Sequence, residues 1–121
     1  MERGVLFVAS DGGAPRGWPF LLRWMDGGLW CTSYRKGAKM RWIESADEAT
    51  VVLFADEREP APYSVVDGTV EVITPTVELI ERWMDAPYRP GAARVADRLA
   101  SGQRVFIVVR PTVPATDFGA R

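Results

Sequence analysis

Short apolar runs alternate with glycine-containing turns throughout the first half of this chain. The runs are GVLFVAS, WPFLLRWM and LWCTSY, and the segments between them are DGGAPRG and DGG. Asp-Gly and Gly-Gly pairs adopt the backbone angles of tight hairpin turns, and runs of this length suit strands. The spacing therefore predicts antiparallel strands near Val5–Ser10, Pro19–Met25 and Leu29–Tyr34.

A short helix and further strands are predicted next. GAKMRWIESADEA lacks alternation with a period of two, and its apolar residues share one helical side, so we expect a helix from Ala38 to about Ala46. ATVVLFAD predicts a buried strand, and the charged, proline-containing segment Glu57–Pro62 predicts an exposed loop. In YSVVDGTVEVI, the pair Asp67-Gly68 is either a hairpin turn or a bulge inside one long strand.

Two helices and a final strand are predicted in the last third. Thr74 is the expected N-cap of a helix with Pro75 in its first turn, and a second helix is expected from Gly91 to Ala100. RVFIVVR then predicts a buried strand that ends at Pro111. The order predicts a mainly β fold with flanking helices, a small closed or split antiparallel barrel that forms a single domain over residues 1–121.

Composition excludes several kinds of chemistry. The chain contains no histidine and one cysteine, which excludes Ser-His-Asp catalysis, zinc sites with imidazole ligands and an intrachain disulfide. The formal net charge is −1, so general attraction to nucleic acid or to a membrane is not indicated. The early run VLFVA is too short for a signal-peptide core or a membrane span, and we expect a cytoplasmic protein.

The segment CTSYRKGAKMRW combines two hydroxyl groups with four cations. A helix that starts directly after a strand presents free backbone N–H groups, and Thr32, Ser33, Lys36 and Lys39 add donors that suit an anion such as a phosphate. The same residues also suit a solvated basic turn, because runs of charge usually lie on the surface. The residue pattern leaves both interpretations open.

The order and spacing of the segments resemble a known family. The first strand VLFVAS, the run WPFLLRWMDGGLWCTSYRKGAKMRWI, the strand ATVVLF, the segment YSVVDGTVEVI and the ending RVFIVVRPTVPATDFG follow one another as in the pyridoxamine 5'-phosphate oxidase-like, flavin-binding split β-barrel proteins. This family includes enzymes that depend on the deazaflavin F420. The resemblance covers nearly the whole chain and implies a Greek-key-like split barrel.

The resemblance also implies a cofactor and a partner. Members are homodimers with two cofactor sites at the interface, where the second strand lies along the flavin ring and the third strand and following helix hold the phosphate. By position, Thr32, Ser33 and Lys39 match the phosphate-binding residues. The cofactor-binding residues that the resemblance implies are Trp18, Pro19, Phe20, Leu21, Leu22, Thr32, Ser33, Arg35, Lys36 and Lys39.

This chain differs from the family pattern in two ways that affect the expected pocket and reaction. Many members carry a helix before the first strand, so a wall of the pocket is expected to be missing or supplied by the partner subunit. The ending TDFGAR lacks the Trp, Arg and His set with which the true pyridoxamine phosphate oxidases recognise their substrate. We therefore expect a different reaction.

The leading hypothesis is an oxidoreductase that binds FMN, or alternatively F420, and transfers a hydride to or from a small organic substrate. F420 carries an acidic oligoglutamate tail, and the clustered cations together with Arg16 and Arg23 exceed what one phosphate requires. The alternative is a non-catalytic protein that stores or senses such a cofactor. No catalytic side chain, metal site or nucleic-acid partner is assigned.

Overall fold

The computed structural model describes residues 1–10, 12–54 and 63–118. The predicted Glu57–Pro62 loop lies outside these residues. Among the described residues, no helix is both long and apolar enough to cross a membrane. In chain order the elements are β1 (Glu2–Ser10), β2 (Gly13–Met25), β3 (Gly28–Tyr34), α1 (Ala38–Glu44), β4 (Glu48–Phe54), β5 (Tyr63–Ile73), α2 (Val77–Met84), α3 (Arg94–Ala100), β6 (Arg104–Pro111) and β7 (Thr116–Phe118).

The strands form an antiparallel barrel. Their order in the sheet is β4-β1-β2-β3-β6-β5-β7, and a further pairing of β4 with β5 closes a six-stranded ring. The first three strands follow one another as hairpins, and β4 returns to lie beside β1, which is the order of a Greek key. The predicted mainly β, split-barrel architecture with flanking helices is confirmed.

The barrel is split between β2 and β3. These strands pair only where Arg23–Met25 faces Gly28–Trp30, next to their turn. Before Arg23, β2 pairs with β1 alone, and after Trp30, β3 pairs with β6 alone. At Pro19–Leu21, the other edge of β2 therefore lies open to a space between the two strands.

The core has an inner and an outer part. Leu6, Val51 and Val66 are paired across β1, β4 and β5 and are fully buried inside the barrel. On the outer face of β6, Phe106 contacts Trp30 and Trp83 edge to face, at ring-centroid distances of 5.7 and 6.0 Å. Because Trp83 belongs to α2, this aromatic cluster attaches the helices to the barrel.

The second strand is longer than predicted. The ladder to β1 pairs Phe7 with Gly17 and Val8 with Arg16, so most of DGGAPRG is strand rather than turn. β1 likewise begins at Glu2 instead of Val5. Glycine suits position 17 because a Cβ there would lie 2.5 Å from Cδ1 of Phe7. Pairing with β1 thus outweighs the turn preference of this composition.

The Asp67-Gly68 pair lies inside one long strand and forms no hairpin. β5 runs without interruption and pairs with β4 through Thr69 and with β6 from Gly68 onward. A Cβ on Gly68 would lie 2.1 Å from the carbonyl oxygen of Arg110, which explains the glycine at the point where both neighbours meet.

All three helices differ from prediction at one end. The first ends at Glu44, two residues early. The second is capped by Thr76 rather than Thr74, because the Thr76 hydroxyl accepts the backbone N–H of Leu79 at 3.2 Å. The third begins at Arg94 rather than Gly91, since the carboxylate of Asp97 accepts the N–H of Gly91 and holds that residue in a preceding turn.

Candidate functional site

The split between β2 and β3 leads into a groove of about 520 Å³. Its volume lies within the roughly 300–1,000 Å³ range of small-molecule sites. The strand β2 forms one wall, α1 and β3 contribute polar groups, and the α2–α3 region forms the other wall. The residues used in the argument below are Pro19, Phe20, Leu21, Thr32, Lys39 and Arg104, all of which line this groove.

Thr32 is held by Arg104. The Arg104 side chain donates from Nε and Nη2 to the Thr32 hydroxyl at 3.2 and 3.1 Å, and Nη2 also donates to the Thr32 carbonyl oxygen at 3.4 Å. A threonine hydroxyl can accept two hydrogen bonds and donate one. Here it accepts from Arg104 and donates to no residue in the described part of the chain. Its proton is therefore available to an acceptor in the groove.

Lys39 brings a second positive charge to the groove. Its Nζ lies 5.0 Å from the centre of the Phe20 ring, in the range of a cation–π contact between α1 and β2. This contact positions the ammonium group over β2 without neutralising it. Its three N–H donors remain able to bind an anion.

Arg104 was not predicted from the sequence. Its guanidinium carbon also lies 4.4 Å from the centre of the Tyr34 ring, so the side chain is fixed by two residues of β3. Arg104 is opposite Tyr34 in the ladder between β3 and β6. In the sequence, Arg104 is only the first residue of a predicted buried strand. Its position beside Thr32 follows only from the pairing of that strand with β3.

The charged side chains that line the groove are all positive. Lys39, Arg94 and Arg104 line it, and no carboxylate does so among the residues that the structure describes. The whole chain has a net charge of −1, so this local excess of cations reflects segregation of charge rather than composition. In this environment the Thr32 hydroxyl and the cations favour an anionic ligand.

Solved structures of known proteins share this fold. No family model and no curated protein matches the sequence. An F420 reductase is 25% identical, with 93% of this chain and 87% of that chain covered and a TM-score of 0.64. A pyridoxamine 5'-phosphate oxidase-related, FMN-binding protein of Nostoc punctiforme is 13% identical over 90% of this chain and 70% of that one, with a TM-score of 0.63. The chain has the split β-barrel fold of the pyridoxamine 5'-phosphate oxidase-like proteins.

Another protein of similar structure has a different described role. The heme storage protein HutZ of Vibrio cholerae is 13% identical, with 94% of this chain and 84% of that chain covered and a TM-score of 0.72. The fold alone therefore leaves both the ligand and the reaction open.

Half of the predicted cofactor residues of this split barrel line the groove, and half lie elsewhere. Because side chains alternate along a strand, Thr32 lies on the outer face of β3, whereas Ser33 lies on the opposite face and is buried across from Val105. Leu22 is fully buried, and Trp18 is partly buried against the core. Arg35 and Lys36 line a separate cleft beside the groove.

Cys31 lies in the interior of the split barrel. Burial raises the pKa of its thiol far above the ordinary value, and the charges of Lys39 and Arg104 offset only part of that rise. Since the thiolate is the nucleophilic form, Cys31 acts as a packed apolar residue, as the sequence predicts.

Proposed function

We propose that the groove binds a phosphorylated flavin-type cofactor, FMN or the deazaflavin F420, and that the protein is an oxidoreductase acting on a small organic substrate. One observation carries the proposal: the groove joins an open strand edge at Pro19–Leu21 to the cation and hydroxyl cluster of Thr32, Lys39 and Arg104. An FMN-binding protein and an F420 reductase among the similar structures support it.

The polar end of the groove fits a phosphate. A phosphate monoester carries close to two negative charges and offers several acceptor oxygens. Thr32 has a hydroxyl proton to donate, and Lys39 has three ammonium protons. Arg104 supplies a fixed positive charge beside them. Hydrogen bonds to a charged acceptor are shorter and stronger than neutral ones, so this donor set suits a phosphate better than a neutral group.

The strand side of the groove fits a flat ring. From Trp18 to Leu22, β2 pairs with β1 alone, and its other edge lines the groove at Pro19–Leu21. Backbone groups on such an edge seek hydrogen-bond partners, and a planar heterocycle with donors and acceptors along its edge can supply them. Phe20 adds an apolar surface beside the same edge.

The chain contributes binding and orientation. When bound, the cofactor supplies the hydride chemistry, and the protein fixes the position of its ring and phosphate. Lys39 and Arg104 balance the phosphate charge, while β2 and the wall formed by Trp83 and Met84 restrict water on either side. No side chain of the groove is assigned a catalytic step.

We further propose a homodimer with the cofactor at its interface. The outer face of β1, β2 and β4 exposes a hollow of about 360 Å³ lined by Val5, Pro19, Leu21 and Phe54. Pro19, Phe20 and Leu21 line both this hollow and the groove. A partner seated on this face would therefore contact the bound ring, and large exposed apolar surfaces often mark such contacts.

Replacing Leu21 by Asp should weaken the dimer. Leu21 is 56% exposed, and an aspartate there would replace its apolar contact with a charge that must lose its water on association. We expect the dimer dissociation constant to rise at least about tenfold, as for truncation of an interface hot spot, measured by light scattering over a dilution series. Val77→Asp is the matched control, because Val77 is 54% exposed on α2. Equal dissociation constants for both variants would contradict this interface.

Absorption spectroscopy tests cofactor binding directly. When the purified protein is titrated with FMN or F420, binding should quench the fluorescence of the cofactor or shift its absorption spectrum. The bound cofactor should then be reduced or oxidised when a suitable electron donor or acceptor is supplied. Failure of both cofactors to bind at concentrations up to about 1 mM, which corresponds to about −4 kcal/mol, would remove the proposal.

A non-catalytic binding protein is the second candidate. It is favoured by the chemistry of the groove, whose polar side chains are a threonine, a lysine and arginines, with no carboxylate among the described residues. A protein that retains its cofactor but turns over no substrate with any supplied reductant would support this alternative. Multiple turnovers with a small organic acceptor would exclude it.

A further inference from the structure

We propose that a cleft next to the groove is a second anion subsite, which takes a negatively charged extension of the groove ligand. This inference rests on the proposed function. The cleft measures about 450 Å³ and lies between the end of β3 and the turn that joins α3 to β6. It is lined by Tyr34, Arg35, Lys36, Ser101, Gly102 and Gln103.

A backbone hydrogen bond joins the two sides of the cleft. The N–H of Arg35 donates to the carbonyl oxygen of Gln103 at 2.8 Å and joins the two loops. Gly102 has a φ of +81° and leaves its side of the cleft without a side chain. The Arg35 guanidinium lies over this glycine, with Nη2 3.7 Å from the position that a Cβ would occupy. The result is a concave surface with a cation along its wall.

The charges of the cleft are not neutralised. Arg35 and Lys36 form no ion pair with any residue in ranges 1–10, 12–54 and 63–118, and no carboxylate from those ranges lines the cleft. Exposed ion pairs elsewhere, Arg82 with Asp26 and Arg110 with Glu71, show that this chain pairs surface charges at other places. Two unpaired cations in one concavity attract an anion.

Tyr34 connects the cleft with the groove. The guanidinium carbons of Arg104 and Arg98 lie 4.4 and 5.5 Å from the centre of the Tyr34 ring. Arg98 also donates a hydrogen bond to the Tyr34 hydroxyl. Arg104 in turn holds Thr32 inside the groove. Positive charge therefore continues from Lys39 and Arg104, past Tyr34, to Arg35 and Lys36.

This arrangement favours a ligand with negative charge beyond its first phosphate. FMN ends in a single phosphate, which the cluster at Thr32 can bind by itself. A cofactor whose chain continues with carboxylates, as in F420, or with a second phosphate, as in FAD, would extend past Tyr34 into the cleft. The common property of these ligands is an anionic group some distance from the first phosphate.

The test is the double variant Arg35→Gln/Lys36→Gln. Glutamine is shorter than arginine and lysine, but it retains a polar side chain that forms hydrogen bonds, and it removes both charges. We expect FMN affinity to stay within about twofold of the unmodified protein, while affinity for an extended ligand falls about tenfold, as two exposed charge contacts allow. Dissociation constants for FMN, FAD and F420 are measured at two salt concentrations. The loss should shrink at high salt, because exposed charges are screened.

The control variant is Arg82→Gln/Arg89→Gln, which also removes two exposed cations but lies outside the groove and the cleft. It should leave all three affinities unchanged. A loss confined to F420 identifies a carboxylate extension, and a loss confined to FAD identifies a diphosphate. Unchanged affinity for both extended ligands, with FMN still bound, overturns the second subsite alone. Absence of binding for all three ligands overturns the proposed function as well.

Discussion

Replacing Phe106 by Ala should lower the free energy of unfolding by about 3–5 kcal/mol, the range for a large aromatic residue removed from a well-packed core. Phe106 is fully buried on β6. Its ring contacts Trp30 on the barrel and Trp83 on α2, both edge to face. The substitution removes apolar contacts and leaves a cavity between barrel and helices that three rigid elements cannot close.

The measurement is urea unfolding followed by tryptophan fluorescence and by circular dichroism. Phe106→Leu is the graded control, because it keeps most of the apolar volume but loses both aromatic pairs, and it should cost less than Phe106→Ala. A Phe106→Ala protein within 1 kcal/mol of the unmodified one would show that the α2 helix does not depend on this cluster. Since Trp83 also forms a wall of the groove, the Ala variant should in addition weaken cofactor binding.

Replacing Lys39 by Ala should reduce affinity for the phosphorylated cofactor about tenfold to hundredfold. The substitution removes one hydrogen bond to a charged group, which contributes about 1.5–3 kcal/mol. Arg104 and Thr32 would remain, so some binding should persist. The effect should be measurable by fluorescence titration with FMN, where a single phosphate limits the number of anion contacts.

Lys36→Ala is the matched control for this experiment. Lys36 and Lys39 are three residues apart, but only Lys39 lines the groove, whereas Lys36 lines the adjacent cleft. The Lys36 variant should therefore bind FMN as the unmodified protein does. Thermal unfolding of both variants separates any loss of the contact between Lys39 and Phe20 from loss of the phosphate contact. Equal FMN affinity for both variants would refute the assignment of Lys39.

The strands could be predicted because their signals are local. Turn residues at DGG and alternating apolar runs depend on neighbouring residues only, and the structure has strands at each predicted place. The length of β2 could not be predicted, since the pairing of Arg16 and Gly17 with β1 is a contact between segments. The helix starts differ for a similar reason, because Thr74 and Thr76 offer the same cap and only the backbone geometry selects Thr76.

The site was predictable in part. Thr32 and Lys39 lie close together in sequence, and their spacing after a strand indicates a possible anion site. Arg104 is 72 residues from Thr32, and nothing in its immediate neighbourhood indicates that β6 pairs with β3. The division of the cations into groove and cleft also depends on the α3–β6 turn, which the sequence places far from Arg35 and Lys36.

The short pairing between β2 and β3 gives this barrel a place where its width can change. Only three residue pairs, Arg23–Met25 with Gly28–Trp30, join β2 to β3. Each of the other adjacent strand pairs in the ring is joined by five or more residue pairs. Spreading the barrel at this point breaks few hydrogen bonds. Widening the groove at this point would thus leave the five other strand pairings of the ring intact.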